Sequence, residues 1–588
     1  MTICANSALS SSAPTRFKSI LLRSCLISVA AMMPTTFALA ANADKQGGPT
    51  VQTDKGPVEG FVTHGVAEFL GIPYAAPPVG NLRWRPPVAH ASWQSPLKAT
   101  AFGPACAQIY ELGAFAGPAN NNEDCLYINI FTPRVGKGER SATHAKLPVM
   151  FWSYGGGWVD GESNDYDGSK LAKQGNTVVV TFNYRLNLFG DLAHPALDNE
   201  GHLFGNYGIL DNQFALRWVH DNIANFGGDP DNVTILGQSA GSRNTASELL
   251  SPLAKGLFSH AIFESGAIPT ESPLSIAEAK GVAFAVAAGC GSGTTAAVAQ
   301  CLRNLPAATV ESLAGAQPTP LGDSANSAYI AGLITDGQIL PAPAIQQYQT
   351  GNFNHVPILD GDVENEGNFA LAGTEYYESP RTPLTETQFS TYVTNAYSGN
   401  AGPGGSPPAY PSGTAAQVAA QYPLSAYPSA QQQWGALETD ANYSCPTHHV
   451  DQILAQQVPL YAYEFRDQTA PFYFPSMPGF VAQAYHTSDI QYYWPLYHGG
   501  AAGIPHPLDK QQENLSDDLV AAWTNFAKTG NPNGPAGSNQ PWPRYTASSG
   551  PFLAEGPVGL STESDAFWVA EHHCAFWDKV LVYQSTVQ

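Results

Sequence analysis

Ser239 is the residue whose surroundings most directly suggest chemistry. It is the centre of Gly237-Gln238-Ser239-Ala240-Gly241, which follows the apolar run Val233–Leu236 and precedes a helix-compatible stretch with Ala246, Leu249 and Leu250. A strand that passes through a tight, glycine-flanked turn into a helix lifts the serine hydroxyl clear of the sheet and sets it near a helix N-terminus. That placement suits an oxygen that attacks an acyl carbon. Acyl transfer also needs N–H donors for the charge that develops on the carbonyl oxygen. The run Leu147–Trp152 ends in Ser153-Tyr154-Gly155-Gly156-Gly157-Trp158, whose backbone N–H groups can face a site together with the N–H of Ala240. Three consecutive glycines lack the spacing of a dinucleotide-binding fingerprint.

A serine hydroxyl needs a base, and sites built on such a turn order their partners serine, acid, histidine along the chain. The run Val356–Leu359 leads into Asp360-Gly361-Asp362-Val363-Glu364-Asn365-Glu366-Gly367. It offers Asp360, Asp362, Glu364 and Glu366 in a loop after a strand, and residue chemistry alone does not choose among them. For the base, His448, His449, His486, His498, His506, His572 and His573 all lie downstream.

These residues must be held by a sheet. Leu126–Phe131, Leu147–Trp152 and Thr177–Phe182 are apolar runs bounded by turn residues, followed by helical patterning at Gly208–Ala224, the run Val233–Leu236 and a helix beginning near Ser242. The alternation predicts an α/β fold with a large, mainly parallel central sheet flanked by helices. Pro57–Tyr74 reads as an N-terminal hairpin region, and Ala396–Gly413, rich in Gly, Pro and Ser, as a surface loop. With no internal repeat and no linker-like composition, residues 41–588 read as a single catalytic domain.

The first forty residues hold Arg16, Lys18 and Arg23, no acidic residue, and an apolar stretch from Cys25 ending in Ala38-Leu39-Ala40. That is the pattern of a secretory signal peptide over residues 1–40, which predicts a secreted or periplasmic protein. No later stretch is long and apolar enough to span a membrane. Two of the eight cysteines leave with such a leader. Spacing among the remaining six favours the local loops Cys106–Cys125 and Cys290–Cys301, leaving Cys445–Cys574 by elimination. The absence of a CxxC motif argues against a metal or redox centre, and no cofactor is expected. With 26 Lys+Arg against 48 Asp+Glu, the net charge of −22 disfavours nucleic acid and anionic membrane as partners. A small molecule is the expected partner, and the oligomeric state is not read from the sequence.

The chain resembles the type-B carboxylesterase/cholinesterase family of α/β-hydrolases over nearly its whole mature length. Phe69-Leu70-Gly71-Ile72-Pro73-Tyr74-Ala75 with Pro77-Pro78-Val79-Gly80 and Leu82-Arg83 looks like one family signature, and Glu123-Asp124-Cys125-Leu126-Tyr127-Ile128-Asn129 like another. Asn183-Tyr184-Arg185, Gly227-Gly228-Asp229-Pro230 and Phe526-Ala527-Lys528-Thr529-Gly530-Asn531-Pro532 also match. The resemblance selects Glu366, before Gly367, and His486, before Asp489-Ile490, giving the triad Ser239, Glu366, His486. It implies oxyanion donors at Gly156, Gly157 and Ala240, and a serine behind the triad at Ser265. It also matches the cysteine pairing, and implies structural ion pairs Arg83–Glu123 and Arg185–Asp229.

Departures narrow the substrate. The Cys106–Cys125 loop contains Tyr110 and Phe115 but no Trp, and Gln238 stands where cholinesterases carry glutamate, so choline esters are disfavoured. Arg243-Asn244 occupies a helix start where small residues are usual. Arg243 reads as bridging to a nearby carboxylate, with contact to a substrate acid as the alternative. Tyr154, Trp158, Phe472, Tyr473, Phe474 and Tyr485 lie near the site residues in sequence, as pocket walls or as core. The expected activity is serine carboxylesterase, with lipase or sterol esterase second and a non-catalytic adhesion-type protein third.

Overall fold

The computed structural model describes residues 46–581 apart from 110–111, 116, 118, 134–145, 270, 315–328, 330–331, 399–409, 535–540 and 548–549. The expected leader, Tyr110 and most of the Gly/Pro-rich loop lie outside the described residues.

One mixed sheet of thirteen strands organises the chain. Its strands are β1 Gln46–Gln52, β2 Pro57–Thr63, β3 Val66–Pro73, β4 Leu97–Lys98, β5 Tyr127–Thr132, β6 Leu147–Ser153, β7 Val178–Phe182, β8 Gly228–Gln238, β9 His260–Glu264, β12 Ile358–Val363, β13 Leu460–Phe465, β14 Pro551–Gly556 and β15 Gly559–Ser564. The short strands β10 Glu271–Pro273 and β11 Leu333–Thr335 pair separately. The order is β1-β2-β3-β5-β7-β6-β8-β9-β12-β13-β14-β15, with β4 on β2. From β7 to β14 every pairing is parallel, and on the N-terminal side β1, β2, β3, β5 and β7 pair antiparallel. The expected hairpin is the β2–β3 pair.

Every residue of β6, β7, β12 and β13 is buried, the consequence of parallel strands covered on both faces. Helices Tyr207–Asn222, Ala240–Leu250 and Lys510–Thr529 pack on this sheet. The last begins at Asp509, whose side chain accepts from the N–H groups of Gln511 and Gln512 while the Gln512 side chain returns a bond to Asp509 N–H. It stops at Gly530, whose φ of 70° suits a residue without Cβ. One expectation changes here. Asp360 and Asp362 belong to β12 itself, so only Glu364 and Glu366 follow the strand.

Three disulfides join Cys106–Cys125, Cys290–Cys301 and Cys445–Cys574, the pairing expected from spacing. Arg83 pairs with Glu123 as expected. Arg185 does not pair with Asp229. It forms a buried, two-pronged bond to Asp211, 2.7 Å at both Nε and Nη2, while Asp229 lies at the surface 3.7 Å from Lys146. The correction follows from topology: Asp211 sits on the helix Tyr207–Asn222, one layer from β7, whereas Asp229 opens β8 at the opposite end of the strand from the residues after β7.

The interior is rich in acids whose burial outweighs any nearby cation. Burial raises Asp191, Asp198 and Glu248 to about 8, and Glu271, Asp360, Glu364 and Asp489 to about 7. An acid whose pKa is higher folded than unfolded binds more protons in the folded state, so its contribution to stability falls as pH rises from ~4 to its folded value. Burial lowers His194, His260 and His449, which oppose this trend below ~6.5 but not above. The thermal midpoint of the oxidised protein should therefore decrease between pH 6.5 and pH 8.5 at fixed ionic strength. Scanning calorimetry that finds it constant or rising would contradict these protonation states.

Candidate active site

The site lies at the carboxyl ends of the central parallel strands, where β6, β8, β9 and β12 each release a loop. Strand β8 delivers Ser239, with φ 57° and ψ −124°, directly into the helix Ala240–Leu250. The turn is locked from both sides: Ser239 N–H donates to the Glu264 carbonyl at 2.8 Å, and Arg243 N–H to the Ser239 carbonyl at 3.0 Å. A Cβ on Gly241 would lie 2.0 Å from the Ser153 carbonyl oxygen, and one on Gly237 2.5 Å from the same atom. The two glycines thus let the elbow rest against the end of β6.

That contact brings the glycine run to the serine. A Cβ on Gly155 would stand 3.0 Å from Ser239 Cβ, and one on Gly156, where φ is 118°, 1.9 Å from the Asp160 carbonyl. The Gly156 carbonyl accepts from Val159 and Asp160, closing the turn. Among the described residues, the N–H groups of Gly156, Gly157 and Ala240 donate to no protein atom. They are free to serve a ligand.

Glu366 stands at the start of the helix Gly367–Tyr377 and is buried. One carboxylate oxygen accepts from Val363 N–H at 2.9 Å, and the other makes a short hydrogen bond with His486 Nδ1. This bond leaves the proton on Nδ1 and the lone pair on Nε2. The Gln238 amide nitrogen lies 3.2 Å from Nε2, and Phe369 and Tyr443 flank the imidazole with ring centroids at 5.6 and 5.1 Å. Ser239 makes no hydrogen bond to His486 among the described residues. Such bonds are commonly loose before substrate binds.

Sequence reasoning missed the residues that bring Glu366 and His486 together. Asn365 N–H donates to the Ala484 carbonyl at 2.9 Å and its side chain accepts from Ala484 N–H at 3.3 Å, forming a bridge between Asn365 and Tyr485. Asn368 bonds the Ala482 carbonyl at 3.0 Å and is itself held by Gln431 at 2.8 Å. No motif marks these amides. Tyr443, on the π-helical turn Asp440–Ser444, was missed for the same reason, although such turns recur at functional sites.

Behind the elbow, Ser265 takes φ 57° and its N–H donates to the Gly361 carbonyl at 2.8 Å, while its hydroxyl is buried without a protein partner. Asp489 and Glu264 are buried nearby, both raised by desolvation and then, for Asp489, by the charge of Glu366. Of ten non-glycine residues with positive φ among the described residues, Trp158, Ser239, Ser265, Gln483 and Thr487 belong to this site. Backbone strain of this kind costs about 1–3 kcal/mol per residue and concentrates where function requires it. Of the aromatics singled out, Tyr154 is core, stacked 4.5 Å from Tyr184. Phe474 packs 5.8 Å from Phe369, which packs 5.8 Å from Phe115, so these rings form one apolar wall beside His486. The other candidate histidines are elsewhere: His572 bonds Asp440 and Glu464, and His448 bonds Asp565.

A profile described as the carboxylesterase family matches residues 47–577. The chain belongs to the carboxylesterase family. It is a carboxylic ester hydrolase, similar to carboxylesterase 1E of Mus musculus, at 33% identity over 91% of this chain and 94% of that protein. It is equally similar, at 33% over 84% of both chains, to fumonisin B1 esterase of Sphingopyxis macrogoltabida. Among solved structures, PNB esterase matches with a TM-score of 0.69 at 28% identity, covering 89% of this chain and 99% of that one. These carboxylesterases share the α/β-hydrolase fold with the present chain.

The elbow can be tested through its glycines. Gly241→Ala should lower the thermal midpoint sharply, because its methyl group would have to displace backbone. Gly373→Ala, in the helix Gly367–Tyr377 with nothing within 4 Å of the added Cβ, should be neutral or stabilising by up to about 1 kcal/mol. Equal behaviour of the two in thermal melts would refute the close approach.

Proposed function

We propose that the protein is a secreted or periplasmic serine carboxylesterase working through an acyl-enzyme, with residues 41–588 as one catalytic domain. The observation that carries the reading is the Glu366–His486 hydrogen bond, formed against Gln238 at the strained Ser239 elbow, beside which three N–H groups are unengaged. His486 Nε2 takes the Ser239 proton as Oγ attacks the ester carbonyl. Glu366 fixes the tautomer and stabilises the imidazolium, and Gly156, Gly157 and Ala240 donate to the oxyanion. The imidazolium then protonates the leaving alcohol, and water activated by the same histidine releases the acid. Ser265 supports the elbow from behind.

The Phe115, Phe369 and Phe474 rings favour an ester with an apolar part. The absence of Trp from the Cys106–Cys125 loop and the neutral Gln238 disfavour a choline ester. Three disulfides suit an oxidising compartment. Among the described residues no helix is long and apolar enough to cross a membrane.

Hydrolysis of p-nitrophenyl esters from acetate to palmitate tests this reading. Ser239→Ala should lower kcat/KM at least 10³-fold, and Glu366→Gln should lower kcat by about 10²–10⁴ with KM little changed. An optimum at short acyl chains separates a carboxylesterase from a lipase. Turnover that survives Ser239→Ala would exclude Ser239 as the nucleophile.

A further inference from the structure

We propose that Arg243 is an anion subsite beside the scissile bond, which adapts the enzyme to esters carrying a free carboxylate. The proposal deepens the Ser239 reading and rests on it. Arg243 lies one helical turn beyond Ser239, and its N–H donates to the Ser239 carbonyl at 3.0 Å. Its guanidinium carbon stands 5.8 Å from the ring centroid of Trp158, the residue that follows Gly157. Trp158 is fixed in turn. Its indole N–H donates to Asn244 at 2.8 Å, Asn244 donates to Ser153 Oγ at 3.1 Å, and the Trp158 carbonyl accepts from Asn187 N–H at 2.6 Å. The cation therefore has a rigid aromatic plate beneath it. Its charge is also felt on the histidine side of the site. The Tyr443 phenol, 5.1 Å from the His486 ring, is raised by burial and drawn back by the charge of Arg243.

What Arg243 lacks is a counter-charge. The buried arginines find acids, Arg83 with Glu123, Arg185 with Asp211 and Arg303 with Glu200, and so does the half-buried Arg466 with Glu464, whereas the half-buried Arg381 instead gives its Nε to the Tyr376 carbonyl at 3.0 Å. In a chain with 48 acidic and 26 basic residues, a solvated arginine without a partner would be unremarkable only at the open surface. Arg243 is half-buried, its Nε is buried without a hydrogen-bond partner, and among the described residues its side chain makes no ion pair. The bridging carboxylate expected from the sequence does not exist among them. An unpaired buried donor is costly, and the guanidinium fork matches a carboxylate in two parallel hydrogen bonds. The missing acid is supplied by the substrate. Adjacent helical turns are separated by about 5–6 Å, so the carboxylate stands a few bonds from the scissile carbonyl, as in a hemiester of a short dicarboxylic acid. The cleft then has an aromatic wall for the apolar part and one cation for the anionic part.

Steady-state kinetics with monoethyl glutarate, O-butyrylglycolate and the neutral ethyl pentanoate test the proposal in wild type, Arg243→Met and Arg243→Lys. Arg243→Met should lower kcat/KM for monoethyl glutarate at least tenfold more than for ethyl pentanoate, mainly through KM, and Arg243→Lys should recover part of the loss. The same differential on O-butyrylglycolate would also support the subsite and place the anion on the alcohol side. Parallel losses on neutral and anionic esters, the signature of an arginine that merely steadies Trp158, would overturn it, as would no loss on either anion. A binding measurement separates this from the esterase reading. Calorimetry on Ser239→Ala protein should detect monoethyl glutarate, with affinity falling at least tenfold when Arg243→Met is added. If wild type hydrolyses no ester, the Ser239 reading fails, and absent or Arg243-independent binding then overturns the subsite as well.

Discussion

The structure depends on one close contact, the seat of the Ser239 elbow against the end of β6. Gly237 and Gly241 both face the Ser153 carbonyl at distances that no side chain could occupy. Because Ser153 is the last residue of β6, the same contact fixes where Gly155, Gly156 and Gly157 begin. Ser239 and the unengaged N–H groups of Gly156, Gly157 and Ala240 are thus positioned by one backbone-to-backbone approach rather than by separate side-chain contacts. The strained φ at Ser239 is maintained because its N–H and carbonyl are both committed, to Glu264 and to Arg243. A parallel sheet supplies the rigidity, since β6 and the Val233–Gln238 half of β8 are buried and bonded to their neighbours up to the elbow.

The Glu366–His486 pair requires a different solution, because the two residues lie 120 positions apart. Their loops are joined by side-chain amides: Asn365 acts as a strand surrogate along Ala484, and Asn368 with Gln431 ties the next turn. Positive φ at Gln483 and Thr487, on either side of His486, shows how tightly this loop is bent. The orienting network rather than the two titratable groups determines that Glu366, and not its three acidic neighbours, faces the imidazole.

Charge is distributed unusually. Beneath the site, burial raises Glu264, Asp489 and Glu555, and the charge of Asp489 raises Glu264 and Glu555 further. Their environment favours the protonated forms, so the interior is less anionic than composition implies. Asp211, buried likewise, meets the fork of the Arg185 guanidinium. Against this background Arg243, half-buried beside the elbow and without an acid, differs from the buried Arg83, Arg185 and Arg303, each of which meets one.

The sequence by itself determined the elements and the serine. Apolar runs and glycine placement marked β6, β7 and β8 to within a few residues, because fully buried strands leave a continuous hydrophobic signature and a strained turn demands glycine. Cysteine spacing gave the disulfides, and family resemblance selected Glu366 and His486 from four acids and seven histidines. Side-chain chemistry could not make that selection, since all eleven candidates carry suitable groups. Only the tertiary structure decided the rest. It moved Asp360 and Asp362 into β12, replaced Asp229 with Asp211 as the partner of Arg185, revealed the Asn365 and Asn368 amides, and left Arg243 without a carboxylate. Each of these is a contact between residues on different elements, governed by how strands and helices stack in space, and local periodicity carries no information about that stacking.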